Sequence, residues 1–199
     1  MRSEDIIDMI SSLCYVIGDK VYILSPILFI GDEHMGILGI SLLFVGIVLV
    51  MNGVNRLSNV DAKSTAFMNL VTGFVIVMAN LIMLTKAEDI LQYQNVASGF
   101  LFGFTYLFIA ANYLWKLDLR PFGWFSLFVA IYAVVMAISA WGADIRFVLL
   151  WSAWAVLWLE GFLELVLNMK LSKLFPYLAI VEGIFAAFIP AMLMLTNRW

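Results

Sequence analysis

Beyond Met35 the chain alternates long apolar runs with short polar breaks. Six runs predict spans, at 37–55, 64–85, 97–115, 122–141, 147–169 and 175–196. Each is near the roughly 17–25 residues that an α-helix needs to cross hydrocarbon. In lipid every backbone N–H and C=O must be satisfied within the structure, so apolar runs of this length predict helices. The breaks are short, which makes successive helices antiparallel neighbours. The expected fold is an all-α integral membrane unit of six transmembrane helices over residues 36–199. Residues 1–35 do not fit that pattern. Their apolar run, Val21–Ile30, is broken by Pro26 and too short to span. Acids crowd the region that a signal peptide would make basic, and no small-residue cleavage site follows. Three readings stand for 1–35: an accessory extension, a stretch upstream of a functional start at Met35, or an interfacial segment.

A finer pattern lies inside the spans. In the fifth, Trp151, Trp154 and Trp158 follow Phe147 at helical spacing. With Phe147 at zero they fall at about 40°, −20° and 20°, one ladder up one side of a helix. Lipid asks for no such ladder. It is either bulky packing between helices or the wall of a slot. In the first span Leu38, Leu42, Val45 and Leu49 form a stripe, while Gly39, Gly46 and Gly53 repeat every seven residues on another side. Glycines suit close helix contact, which leaves the stripe to face something else. In the third span Gly99 and Gly103 make a GxxxG pair, with Phe102 and Tyr106 four apart. The odd helices thus have a small-residue side and a bulky side, as in a repeated two-helix hairpin. Trp115, Trp124, Trp141 and Trp199 fall at span ends and read as interface-belt residues.

Composition agrees. The chain is 64% hydrophobic and 13% charged, against about 45–50% and 25% in soluble domains. The net charge of −3 belongs to the first 35 residues, which hold six acids and two bases. No basic patch suggests nucleic acid. Lys and Arg concentrate in the first, third and fifth connections (Arg56, Lys63, Lys116, Arg120, Lys170, Lys173), which puts those in the cytoplasm and both ends of the six-helix unit outside. The single cysteine, Cys14, and single histidine, His34, lie outside the spans, so the spans supply no His or Cys metal ligands and no Ser–His or Cys–His nucleophile. An enzyme is not expected, and no cofactor is implied. Three carboxylates do lie within spans. Glu160, Glu164 and Glu182 are functional candidates because intramembrane acids are costly. Glu160 and Glu164 point well away from the ladder and equally suit hydrogen bonding between helices or subunits. Glu182 suits either a pore wall or a structural hydrogen bond.

Six ordered blocks carry a resemblance: Leu42–Gly53 (LLFVGIVLVMNG), Val60–Thr65 (VDAKST), Leu101–Leu107 (LFGFTYL), Arg120–Ala130 (RPFGWFSLFVA), Trp151–Leu159 (WSAWAVLWL) and Leu178–Gly183 (LAIVEG). From Met35 to Trp199 the chain resembles the AmiS/UreI family of urea channels and short-chain amide transporters, on the urea-channel side. The resemblance implies three two-helix hairpins around a pore in each subunit, and a homohexamer with lipid in its centre. It implies a pore lined by Leu38, Leu42, Val45, Leu49, Phe102, Tyr106, Phe147, Trp151, Trp154, Leu157, Trp158 and Glu182. It also implies a bacterial cytoplasmic membrane and a passive urea channel feeding a cytoplasmic urease, the alternative being a channel that carries short aliphatic amides to an amidase.

Two departures accompany it. Phe147 stands where the family ladder begins with tryptophan. Acid-gated members of the family carry a long histidine-bearing loop between the second and third helices, whereas the connection here, about Lys86–Val96, is short and has no histidine. Steep activation near pH 6 usually needs such a group, so none is expected. An integral membrane enzyme built on the three acids, and a sensing protein that uses the extension, are the rival classes. The enzyme reading lacks a converging motif.

Overall fold

Asp61, Asp89 and Asp144 each stand just before an apolar run, and each caps one. The computed structural model describes residues 14–17, 20–23, 32–58, 60–171 and 173–199. Its helices are α1 (Asp32–Ser58), α2 (Ala62–Leu84), α3 (Ile90–Trp115), α4 (Arg120–Ser139), α5 (Ile145–Leu165), α6 (Phe175–Glu182) and α7 (Ile189–Leu195), with a π-helical stretch, Gly183–Phe188, between the last two. The stretch Phe175–Leu195 is one continuous span, so among the described residues six helices are long and apolar enough to cross a membrane. The three aspartates accept from the backbone N–H groups of Ser64, Gln92 and Arg146 at 3.0, 2.8 and 2.9 Å. Each satisfies an N–H that the first helical turn would leave open.

The cap at Asp89 makes the largest difference from the expected boundaries. α3 starts at Ile90 rather than near 97, so the second connection is only Thr85–Asp89. Gln92, Gln94 and Asn95 lower the apolar signal there, but the capped turn carries the helix through them. α1 likewise begins at Asp32, which places the backbone of His34 in its first turn. Of the extension, Cys14–Ile17 (β1) pairs antiparallel with Lys20–Ile23 (β2), Cys14 opposite Ile23. The rest of the apolar run Val21–Ile30, Pro26 included, lies outside the described residues.

The six spans pack as three pairs: α2 with α3, α4 with α5, and α1 with the last span. The seams are made of small residues. On α1 a Cβ at Gly46 would stand 2.7 Å from the backbone nitrogen of Phe188 and 2.8 Å from the Gly183 carbonyl oxygen. One at Gly53 would stand 2.5 Å from the Pro176 carbonyl oxygen, and one at Gly39 about 3.0 Å from Leu195. The heptad of glycines on α1 therefore follows the whole last span. The π stretch has a local cause. Pro190 offers no N–H to the preceding turn, and the wider winding before it makes room for its ring.

Between α3 and the α4–α5 pair the backbones stand apart and side chains bridge the gap. α3 and α4 follow one another in sequence but do not pack backbone to backbone. The Phe108 and Phe122 rings stack at 4.8 Å. Tyr132 OH meets Ser98 Oγ at 2.7 Å and donates to the Gln94 carbonyl at 3.2 Å, and Gln94 Nε2 donates to Met136 Sδ at 2.9 Å. The outer faces carry exposed apolar side chains such as Phe67, Phe74 and Ile138, the arrangement of a helix bundle whose surroundings are lipid or other apolar surface.

Candidate functional site

The wide gap among α1, α3 and α5 is filled by the residues that the stripes select. Leu38, Leu42 and Val45 from α1, Phe102 from α3, and Phe147, Trp151 and Trp154 from α5 line one cavity of about 90 Å³. Leu49, Phe102, Tyr106, Trp154, Leu157 and Trp158 line a second, of about 70 Å³. Each has room for a short file of waters or one solute of a few heavy atoms. Phe102 and Trp154 belong to both walls, so the two cavities follow one another and meet at these two rings.

The contact between them is close. Phe102 meets Trp154 edge to face at 4.5 Å and Trp158 at 4.7 Å, and Trp151 meets Trp154 at 5.1 Å with the rings nearly perpendicular. Tyr132 packs its edge on Trp151 from α4 at 6.0 Å. Such edge-to-face pairs are favourable beyond the area they bury, which holds the indoles in fixed orientations. Trp154 is 4% exposed, and its Nε1–H has no acceptor among the described residues.

Of the twelve residues predicted to line a pore, eleven border these cavities. Glu182 borders neither. It is buried at the end of α6, within electrostatic reach of the Tyr106 phenol, and its Oε2 has no hydrogen-bond partner among the described residues. The other two intramembrane acids differ from each other. Glu164 Oε1 accepts from Arg56 at 2.7 Å, and that guanidinium also lies over the Phe175 ring, 4.8 Å from its centre. Glu160 is buried beside Glu164, and among the described residues no donor reaches either of its carboxylate oxygens.

Reading by hydropathy missed several residues of this region. Ser41, Asn80, Asn95 and Ser98 bring polar atoms to the first cavity, and Asn52 and Ser126 to the second. Their signal is polar residues inside spans on the side facing the aromatic ladder. Trp199 also departs from the belt expectation. Trp115, Trp124 and Trp141 are exposed at span ends, whereas Trp199 packs on Phe147 at 5.3 Å, with Arg146 4.6 Å from its ring centre. An indole thus stands beside the phenylalanine that heads the ladder. Among the described residues no group of His, Cys, Asp and Glu is arranged to hold a metal ion.

Comparison with known proteins fits this geometry. Residues 37–198 match the family described as the AmiS/UreI family transporter. The acid-activated urea channel of Helicobacter pylori is 41% identical, over 81% of this chain and 99% of that protein. A Mycolicibacterium smegmatis protein described as an amidate substrates transporter is 34% identical, over 81% and 78%. Among solved structures, the H. pylori urea channel in its closed state superposes with a TM-score of 0.75 at 42% identity, covering 81% of this chain and 99% of that one. A crystal structure of the H. pylori urea channel gives a TM-score of 0.73. With six membrane-capable helices and a family match along nearly all of them, this multi-pass membrane protein belongs to the AmiS/UreI family of transporters.

Proposed function

We propose that the chain is a passive urea channel of a bacterial cytoplasmic membrane. The observation that carries the proposal is the pair of small apolar cavities in file, joined at Phe102 and Trp154. Urea is flat, neutral and small. It sheds part of its hydration at modest cost, whereas an ion taken into such a passage without compensation faces a penalty of tens of kcal/mol. Ring faces accept the plane of the solute, and the free Trp154 N–H offers its carbonyl oxygen a single hydrogen bond. Binding that is weak and spread over successive sites allows rapid release. No bond in the solute is made or broken, so the direction of flow follows the gradient.

The urea channels of H. pylori that this chain resembles support the reading. With it go a ring of six subunits with lipid at its centre, both ends of the six-helix unit outside, and supply of a cytoplasmic urease. The second reading, passage of short aliphatic amides, is favoured by the M. smegmatis relative. Proteoliposomes separate the two. Urea entry by stopped-flow light scattering, with counterflow of acetamide against urea, is expected to favour urea; preferential acetamide counterflow would give the place to the amide reading, and no protein-dependent entry of either would end both.

Steep acid activation is not expected of this chain, in contrast to the acid-activated urea channels of H. pylori. The second connection, Thr85–Asp89, is five residues long and has no histidine. Urea uptake at pH 5 and pH 7.5 should be similar, and a many-fold rise at pH 5 would overturn this. Residues 1–35 are proposed as dispensable for transport. Deletion of residues 2–34 should leave uptake intact.

A further inference from the structure

Two asparagines on one face of α2 make the same helical bond and then part company. Asn69 Nδ2 donates to the carbonyl of Thr65, one turn back, at 2.9 Å. Its remaining amide edge clasps Asn52 of α1 reciprocally, with N–H···O distances of 2.9 and 2.7 Å. Asn80 follows eleven residues later, about three turns and close to the same face. Its Nδ2 donates to the Ile76 carbonyl, one turn back, at 2.8 Å. No group among the described residues bonds its Oδ1 or its second N–H. A carboxamide has two donors and an acceptor oxygen with two lone pairs, so the edge that Asn69 fills with Asn52 is empty on Asn80.

The residue is 3% exposed, and it borders the first cavity. Space has been kept for it. On the facing helix α3, a Cβ at Gly99 would overlap the Asn80 carboxamide. The carboxamide borders the first cavity, where Ser41 and Asn95 are further polar side chains without a side-chain partner among the described residues. The nearby wall is otherwise chiefly aliphatic and aromatic, ending at Phe102 and Trp154.

We propose that Asn80, with Ser41 and Asn95, forms a binding station for a planar primary amide in the first cavity, ahead of the Phe102–Trp154 closure. The proposal rests on the channel reading and adds to it a substrate site that the aromatic ladder does not provide. Urea and acetamide both present an adjacent N–H and C=O, the same edge with which Asn52 clasps Asn69. A solute seated there exchanges water for a two-point amide contact before it enters the apolar slot. An N-methylated urea loses part of that edge and all of the fit.

Asn80→Leu removes the edge, keeps the volume and leaves no partner stranded, because the Ile76 carbonyl stays bonded within the helix. In proteoliposomes of the full chain, acetamide competition against urea entry should weaken about tenfold in Asn80→Leu, the effect of losing roughly one hydrogen bond. Discrimination between urea and N,N′-dimethylurea should fall with it. Acetamide titration of the purified protein, read by tryptophan fluorescence, should show the same loss of affinity without reference to transport. Gly99→Ala, which displaces the carboxamide, should copy Asn80→Leu. Equal competition and equal titration in Asn80→Leu and the unsubstituted protein would overturn the station. Absence of urea entry in the unsubstituted protein would overturn the channel reading, and the titration would still decide the station.

Discussion

The seam between paired helices and the gap between pairs are built by opposite means. Along α1 and the last span, glycines bring backbone onto backbone. Across α3 and α5, Phe102 and three tryptophans hold the helices apart with rings. The first arrangement leaves no space that a side chain could yield, and the second leaves two cavities. One bundle thus divides its residues into those that fix the frame and those that line the two cavities. Lipid provides no hydrophobic drive between helices, so close packing must supply the cohesion, and large residues are free to serve the interior.

The largest expected effect falls on the seam. Gly46→Val places side-chain atoms where Phe188 and Gly183 backbone atoms stand, and backbone cannot rotate away. The cost is about 3 kcal/mol, the upper end for overpacking, and the purified protein should lose its single size-exclusion peak. Trp154→Ala in the gap should do the reverse. The peak should survive, while urea entry changes about tenfold, which corresponds to about 1.4 kcal/mol in the barrier. Admission of glycerol would accompany it as the two cavities merge. If Trp154→Ala unfolds the protein and leaves flux per folded molecule unchanged, the ring cluster belongs to the frame and the contrast collapses.

A polar seam sharpens the contrast. Asn52→Leu strands the Asn69 oxygen in the interior, which costs about 1–3 kcal/mol. The double substitution Asn52→Leu/Asn69→Leu should cost less than the two singles combined, as measured by thermal unfolding in detergent.

The smallest expected effect lies outside the membrane. Arg120, donating from its side chain and backbone, holds the Asp118 carboxyl down at about 2. A depressed pKa means that the contribution to stability is complete above the unfolded value, near 3.8, and is lost as pH falls through about 2. Helix content followed by circular dichroism should therefore be the same at pH 7 and pH 5 and unaffected by Asp118→Asn over that interval.

Much of the frame was legible because each signal is local. Span length, the glycine heptad and the ladder from Phe147 to Trp158 are periodicities within one helix, and periodicity reports faces. The parts that stayed hidden join helices distant in sequence. Asn52 with Asn69, Asn80 with Gly99, and Tyr132 with Ser98 each need a partner that no single-helix pattern names. The early start of α3 was hidden for another reason. A membrane-length average penalises Gln92, Gln94 and Asn95, although the Asp89 cap, the Gln92 side chain accepting from the Glu88 N–H, and the inward places of Gln94 and Asn95 make helix the favourable state. Trp199 looked like a belt residue because its place at a span end is local, while its contact with Phe147 is not.

The pairing of α1 with the last span has a consequence for biogenesis. Both walls of the α1 seam come from opposite ends of the six-helix unit. During synthesis α1 enters the bilayer first and waits, its glycine face against lipid, until four further helices have been inserted. The cavity walls come from the first five spans apart from Phe175, but the helix that packs along the glycine face of α1 arrives last. A chain halted after α5 therefore has the rings of the slot without the helix that braces Leu42 and Val45 against them, and quality control has a well-defined unfinished form to recognise.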